Sequence, residues 1–169
     1  MTEALPRISS VVATSPLTLV VAWRDGKKDR IALDGWIGTG GDLLAPLSDW
    51  STFSAPEIIN YGTAVRWGGN DDMSIDAVHL RMIADDQKPF HGDDAANWQR
   101  QLGLSNNEAA DLLGVALSTW HKYKEADSII PLAVAHLCRA ALRDPLIMQA
   151  HYRPRRPGRP RATPSATPS

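Results

Sequence analysis

The residues of this chain best suited to chemistry lie toward its C-terminal end. Ser118, His121 and Lys122 share the stretch LSTWHKYK and fall on one side of a short helix from Leu117 to Lys124, with Trp120 and Tyr123 on another. Lys122 and Lys124 make that helix basic. Arg153, Arg155, Arg156, Arg159 and Arg161 follow with no acidic residue among them, a composition that attracts phosphate. Other candidates are weaker. Asp71, Asp72, Asp76 and His79 could hold a cation, but carboxylates at a helix start are favoured by the helix dipole alone, so a solvated cap is the plainer reading. Gly38-Thr39-Gly40-Gly41-Asp42 invites a phosphate, yet lacks the Lys-Ser/Thr end of a P-loop and the spacing of a dinucleotide fingerprint, and is read as a flexible surface loop. No Ser-His-Asp or Cys-His pairing can be argued from spacing. We therefore expect no enzyme, no cofactor and no metal.

The elements that must position these residues are marked locally. Ser105 and Glu108 have capping-box spacing, which predicts a helix starting at Asn106. Ala109, Leu112 and Leu113 give it one buried stripe, and Gly114 is suited to leaving a helix through positive φ. Val115 is an apolar turn residue before the helix at Leu117. Helices joined by so tight a turn cross steeply, as in a helix-turn-helix.

From Trp98 to Leu142, through WQRQLGLSNNEAADLLGV, STWHKYK, IP and AVAHL, the chain resembles the Cro-repressor, or Xre-like, helix-turn-helix family. The resemblance implies that the second helix of the motif lies in the major groove of double-stranded DNA and that a homodimer reads two half-sites. It places the base readers on Leu117, Ser118, His121 and Lys122, and a phosphate contact on Asn106. Ala116 departs from the family's usual Ser or Thr cap, Leu117 from its polar reader, and Lys124-Glu125 from its usual helix end.

Ahead of this region the pattern predicts a small α+β unit. Leu17, Leu19, Val21 and Trp23 alternate as the buried side of a strand, Asp25-Gly26 marks a turn, and Arg30 to Leu33 returns as partner. Ile8 to Ala13 is a preceding strand. DLLAPLSDWSTF suggests a broken apolar or helical segment, Pro56 to Ile59 and Ala64 to Trp67 two further strands, and Ser74 to Ile83 a helix capped by Ser74 that buries Ile75, Val78 and Met82. Trp23 and Trp67 fall on inward positions, while Trp36 and Trp50 lie in less regular sequence. LTLVVAWRDG, APLSDWSTF, EIINYGTAVRW and DMSIDAVHL resemble a bacterial domain of unknown function often encoded beside toxin-like partners. That likeness implies a fold and a protein partner for this half.

Beyond a polar stretch with Pro89 and Gly92, Asp93 or Asp94 caps a helix that buries Ala95, Trp98 and Leu102 and ends at Gly103. Pro131 opens another that runs to about Arg143, with Leu132, Ala135, Leu137, Cys138 and Leu142 closing the core; Asp144-Pro145 breaks it. The lone cysteine, Cys138, reads as a small core residue. Gly158-Arg159-Pro160 is similar to the core of an AT-hook, although Pro157 stands where an arginine usually precedes the glycine; a generic basic arm is the plainer reading.

Basic and acidic residues number 8 and 12 over 1–89, 5 and 7 over 90–150, and 5 and 0 over 151–169, so only the tail is net positive. The expected organisation is an α+β domain with a small antiparallel sheet and one or two helices (1–86), a linker (87–93), an all-α helix-turn-helix domain (94–152) and a disordered Arg/Pro-rich tail (153–169). With no apolar run long enough to span a bilayer and no signal-peptide pattern, a cytoplasmic protein without a membrane partner is expected. A dimeric DNA-binding transcriptional regulator is the first functional reading. The second is an antitoxin-like interaction module whose N-terminal domain binds a protein partner.

Overall fold

A computed structural model describes residues 4–155. The chain divides into two compact units between Lys88 and Pro89, the first α+β and the second all-helical.

The first unit carries two three-stranded antiparallel sheets. Strands β1 (Ile8–Thr14), β2 (Thr18–Trp23) and β3 (Lys28–Ala32) form one in that order; β4 (Pro56–Ile59), β5 (Ala64–Trp67) and β6 (Asn70–Asp76) form the other. Leu19, Val21 and Trp23 point inward from β2, as their alternation requires. Three short helices bridge the sheets, α1 (Asp34–Thr39), α2 (Gly41–Leu44) and α3 (Trp50–Phe53), and α4 (Ala77–Gln87) follows β6. The unit thus holds more sheet and more helix than the sequence pattern suggested.

Two local expectations are corrected. The Gly38–Asp42 segment is not an open loop but lies across α1 and α2. Ile37 and Leu44 drive that helix formation by burying themselves, and Thr39 Oγ1 donates to the Gly35 carbonyl at 2.7 Å. The proposed helix from Ser74 instead begins at Ala77, because Met73 and Ile75 alternate into the core from β6, where Ile75 pairs with Val65. Asp76, not Ser74, is the cap and accepts from the His79 amide at 2.8 Å. The buried face of α4 is accordingly Ala77, Leu80 and Ala84, while Val78 and Met82 are exposed. Asp71 pairs with Arg66 at 2.9 Å, so Asp71 and Asp76 both already have partners. Among the described residues no group of three or more metal-ligating side chains comes together.

Aromatic rings tie the second sheet to the short helices. Trp67 is fully buried, stacks on Phe53 at 5.6 Å and donates its indole N–H to the Phe53 carbonyl at 2.9 Å. Trp36, half-buried, lies 6.1 Å from Trp67; Trp50, 45% exposed, lies 6.2 Å from Phe53. Trp36 and Trp50 therefore extend the core aromatics outward and are not an exposed pair.

The second unit consists of α5 (Gly92–Leu102), α6 (Asn106–Leu113), α7 (Leu117–Tyr123), α8 (Leu132–Arg143) and α9 (Pro145–His151). Its core gathers Ala95, Trp98, Ala109, Leu113, Trp120 and Cys138. Helix α5 starts earlier than Asp93: its flanking residue is His91, whose amide donates to the Asp94 carboxylate at 2.8 Å, so Asp94 acts from inside the first turn. On α8 the buried residues are Ala135, Cys138 and Ala141, whereas Leu132 and Leu142 are 68% and 45% exposed. Small side chains at i, i+3 and i+6 form the buried stripe, Leu137 packs against that core partly buried, and Leu132 and Leu142 lie outside it. Burial pushes the Cys138 thiol up to about 12, so it is an inert core residue. Among the described residues no helix is long and apolar enough to cross a membrane.

The turn between β4 and β5 sets a sharp requirement. Gly62 has φ +85°, and a Cβ there would lie 2.4 Å from the Ile8 carbonyl oxygen. Gly62→Ala is expected to destabilise the first unit by about 2 kcal/mol or more, from left-handed strain plus displacement of β1. Urea denaturation followed by tryptophan fluorescence measures this; a loss below about 0.5 kcal/mol, the range of an ordinary surface change, would contradict it.

Candidate nucleic-acid interface

Helix α6 is fixed at both ends by the residues the sequence marks. The Glu108 amide donates to Ser105 Oγ at 3.2 Å, and the Ser105 amide donates to Glu108 Oε2 at 2.8 Å, completing the capping box. At the other end Gly114 has φ +68°. The Val115 amide reaches the Ala110 carbonyl at 3.0 Å and the Gly114 amide reaches Asp111 at 3.2 Å, the paired bonds of a Schellman end. Three residues then carry the chain into α7. Ala116 is extended and gives α7 no side-chain cap, as its methyl group requires.

What holds α7 is its inner face. Trp120 is fully buried and packs edge-on against Trp98 at 5.7 Å. Its indole N–H donates to Gln99 Oε1 at 3.2 Å. The Gln99 amide group donates in turn to the Leu104 carbonyl at 2.9 Å and to Asn106 Oδ1 at 3.1 Å. Lys124 Nζ donates to the same Asn106 oxygen and sits 5.8 Å from the Trp120 ring centre. One glutamine on α5 thus links the start of α6 to the middle of α7. Beyond the helix, Ser128 Oγ donates to the Lys122 carbonyl at 2.7 Å, which closes its C-terminal end. Gly92 allows α5 to begin against the Glu125 carbonyl, where a Cβ would lie 1.9 Å away.

This geometry divides the expected contact residues. Leu117, Ser118, His121 and Lys122 are all exposed on α7. Asn106 and Lys124 are half-buried and bonded to each other, so they belong to the framework behind that helix as well as to its edge. Of the expected basic tail, Arg153 and Arg155 fall among the described residues; Arg156, Arg159 and Arg161 lie outside them.

Arg155 is not part of a free arm. Its Nε and Nη2 donate to the two carboxylate oxygens of Asp111 at 2.7 and 3.0 Å, a bidentate pair. Its amide donates to Glu108 Oε1 at 3.0 Å, and the Tyr152 hydroxyl donates to the same oxygen at 3.0 Å. Glu108 is 8% exposed, so its charge depends on these donors. The Ser105 amide, then the Arg155 amide, with the Ser105 and Tyr152 hydroxyls, hold its carboxyl down at about 2. Beside that carboxylate the Tyr152 phenol is raised and stays protonated. Gln99, Asp111 and Tyr152 escape a sequence reading because their partners lie far along the chain; the capping box alone identifies Glu108.

A carboxyl held at about 2 against an ordinary 4.5 contributes stability that is fully present above pH 4.5 and is lost as pH falls toward 2. Glu108→Gln is expected to lower helix stability at neutral pH and to flatten this acid dependence. Thermal denaturation followed by far-UV circular dichroism across that window checks both; an equally steep acid loss in the variant would contradict the assignment.

No family model and no curated relative matches the chain. Among solved structures, the chain is similar to a protein of Nitrosomonas europaea described as a candidate DNA-binding protein, at 23% identity and a TM-score of 0.46, over 83% of this chain and 89% of the other.

Proposed function

We propose that this protein is a dimeric DNA-binding transcriptional regulator that reads the major groove with the outer face of α7. The observation that carries the reading is the division of that helix: Trp120 is locked into the core while Leu117, Ser118, His121 and Lys122 are exposed together. Lys122 can donate to guanine O6 and N7, Ser118 and His121 can bond base edges or phosphates, and Leu117 offers apolar contact to a thymine methyl. Asn106 Oδ1 is occupied by Gln99 and Lys124, which leaves its amide group as the donor for a phosphate. A helix without a side-chain cap in an acidic unit supplies little affinity alone. Two copies on adjacent half-sites, aided by Arg156, Arg159 and Arg161, supply the rest.

A second reading gives the first unit a protein partner, in the manner of an antitoxin. Tyr61 favours it, being 89% exposed on a turn with positive φ at Asn60 and Tyr61. Both roles can reside in one chain, since the exposed faces concerned belong to different units.

His121→Ala with Lys122→Ala is expected to weaken specific binding by roughly ten-fold or more, at about 1–3 kcal/mol per lost base contact, with the circular dichroism spectrum unchanged. Gel-shift titration against selected and scrambled DNA measures it; unchanged affinity and preference would overturn the reading. Truncation after Arg155, which keeps the bonds to Glu108, should reduce the salt slope by up to about 0.9 per lost phosphate contact. An unaltered slope would show that the later arginines do not touch DNA.

A further inference from the structure

Strand β3 is an outer strand of the first sheet, and its backbone polar groups alternate between β2 and the open edge. The Leu33 amide donates to the Leu17 carbonyl and the Trp23 amide to the Lys27 carbonyl, both at 2.9 Å, so the odd-numbered residues face β2. Lys28, Arg30 and Ala32 therefore turn their backbone groups outward. At Ala32 those groups are already met from outside. Gln87, the last residue of α4, accepts from the Ala32 amide through Oε1 at 3.0 Å and donates to its carbonyl through Nε2 at 2.7 Å. A side-chain carboxamide thus takes the place that a peptide group of a further strand would fill. Lys28 and Arg30 are exposed, and among the described residues no such cover reaches their backbone.

Charge selects what fits there. The side chains of Lys28 and Arg30 share the outer face of the sheet, whereas Asp29 turns to the other face and accepts from the Trp23 indole at 2.7 Å. The edge is a local reversal of sign in a region, 1–89, with 8 basic and 12 acidic residues. Two copies of it would set cation against cation, the usual protection of an edge against self-pairing. An acidic strand meets the opposite situation. In antiparallel pairing the residue opposite Arg30 shares its face and exchanges both backbone bonds with it, so alternate Glu or Asp side chains would lie beside Arg30 and Lys28.

We infer that β3 is a docking edge for an extended acidic segment of a partner protein, added antiparallel beside Lys28 and Arg30 and stopped at Gln87. This gives the protein partner of the second reading above its chemistry, and it rests on that reading.

The test titrates the full-length protein with labelled acetyl-Glu-Val-Glu-Val-Glu-amide at low salt, reading affinity by fluorescence anisotropy and location by NMR amide shifts. Shifts should centre on Lys28 and Arg30. N-methylation of the Glu nitrogens, whose N–H groups face β3, should weaken binding roughly ten-fold or more, and methylation of the Val nitrogens by about two-fold at most. The analogue with Lys in place of Glu should bind roughly five-fold more weakly, and Arg30→Glu, with an unchanged circular dichroism spectrum, should reverse that preference. Equal loss from the two methylation patterns, equal affinity for the two charges, or no binding at all would overturn the inference. Shifts confined to another surface of the first unit would overturn the edge and leave the interaction reading standing. That reading fails separately if the full-length protein, purified from its own cells, carries no stoichiometric protein partner, while the titration still decides the edge.

Discussion

The helical unit depends on a carboxylate that has left water. Glu108 is 8% exposed, and an ionised acid in that setting must find donors within the protein. It finds the Ser105 amide, which fixes where α6 begins, and the Tyr152 hydroxyl and Arg155 amide, which fix where the chain goes after α9. A capping box is ordinarily a local device confined to one helix turn. Here the second oxygen of the same carboxylate extends it to residues more than forty positions along the chain. The start of α6 and the exit of the tail are therefore one interaction.

The placement of α7 rests on a neighbouring set of bonds with the same character. Gln99 has its oxygen and its amide group engaged, by Trp120 on one side and by Leu104 and Asn106 on the other. A satisfied polar network of this kind specifies one register for the helices it joins. It compensates for what Ala116 lacks: α7 is held by its middle and far end instead of by a cap. The outer face is left with side chains that have nothing to support and are free to meet a ligand. On the proposed DNA-binding reading, phosphate attraction beyond that of this face comes from a second copy and from the arginines that follow Arg155.

Much of this was legible in the sequence where the determinants are local. Ser105, Glu108 and Gly114 announce the ends of α6, alternation identifies β2, and β4 and β5 run between the residues their pattern indicated. Errors arose where tertiary burial decided between two local options. Met73 and Ile75 fit a helix start by composition but alternate into the core as strand, and Ile37 and Leu44 draw a glycine-rich stretch into helical turns. On α8 Ala135 and Cys138 lie in the core as their spacing indicates, joined by Ala141, whereas Leu132 and Leu142, equally apolar, are exposed. The exposed α7 face follows from helical spacing. The division of roles between Ser118, His121 and Lys122 outside and Asn106 and Lys124 behind does not, because it depends on Gln99 and Trp120. Docking of Arg155 onto α6 was equally hidden, since a Pro/Arg-rich composition gives no sign of a partner.

The central claim is that α7 presents a base-reading face and that two copies of it act together. Sequencing of DNA selected from a random pool by the purified full-length protein tests this most directly. The account predicts an enriched, two-fold-related site whose half-sites lie about one helical turn apart, roughly 10–10.5 base pairs centre to centre. A pool that remains random after selection, or retention that follows charge without any preferred sequence, would contradict it.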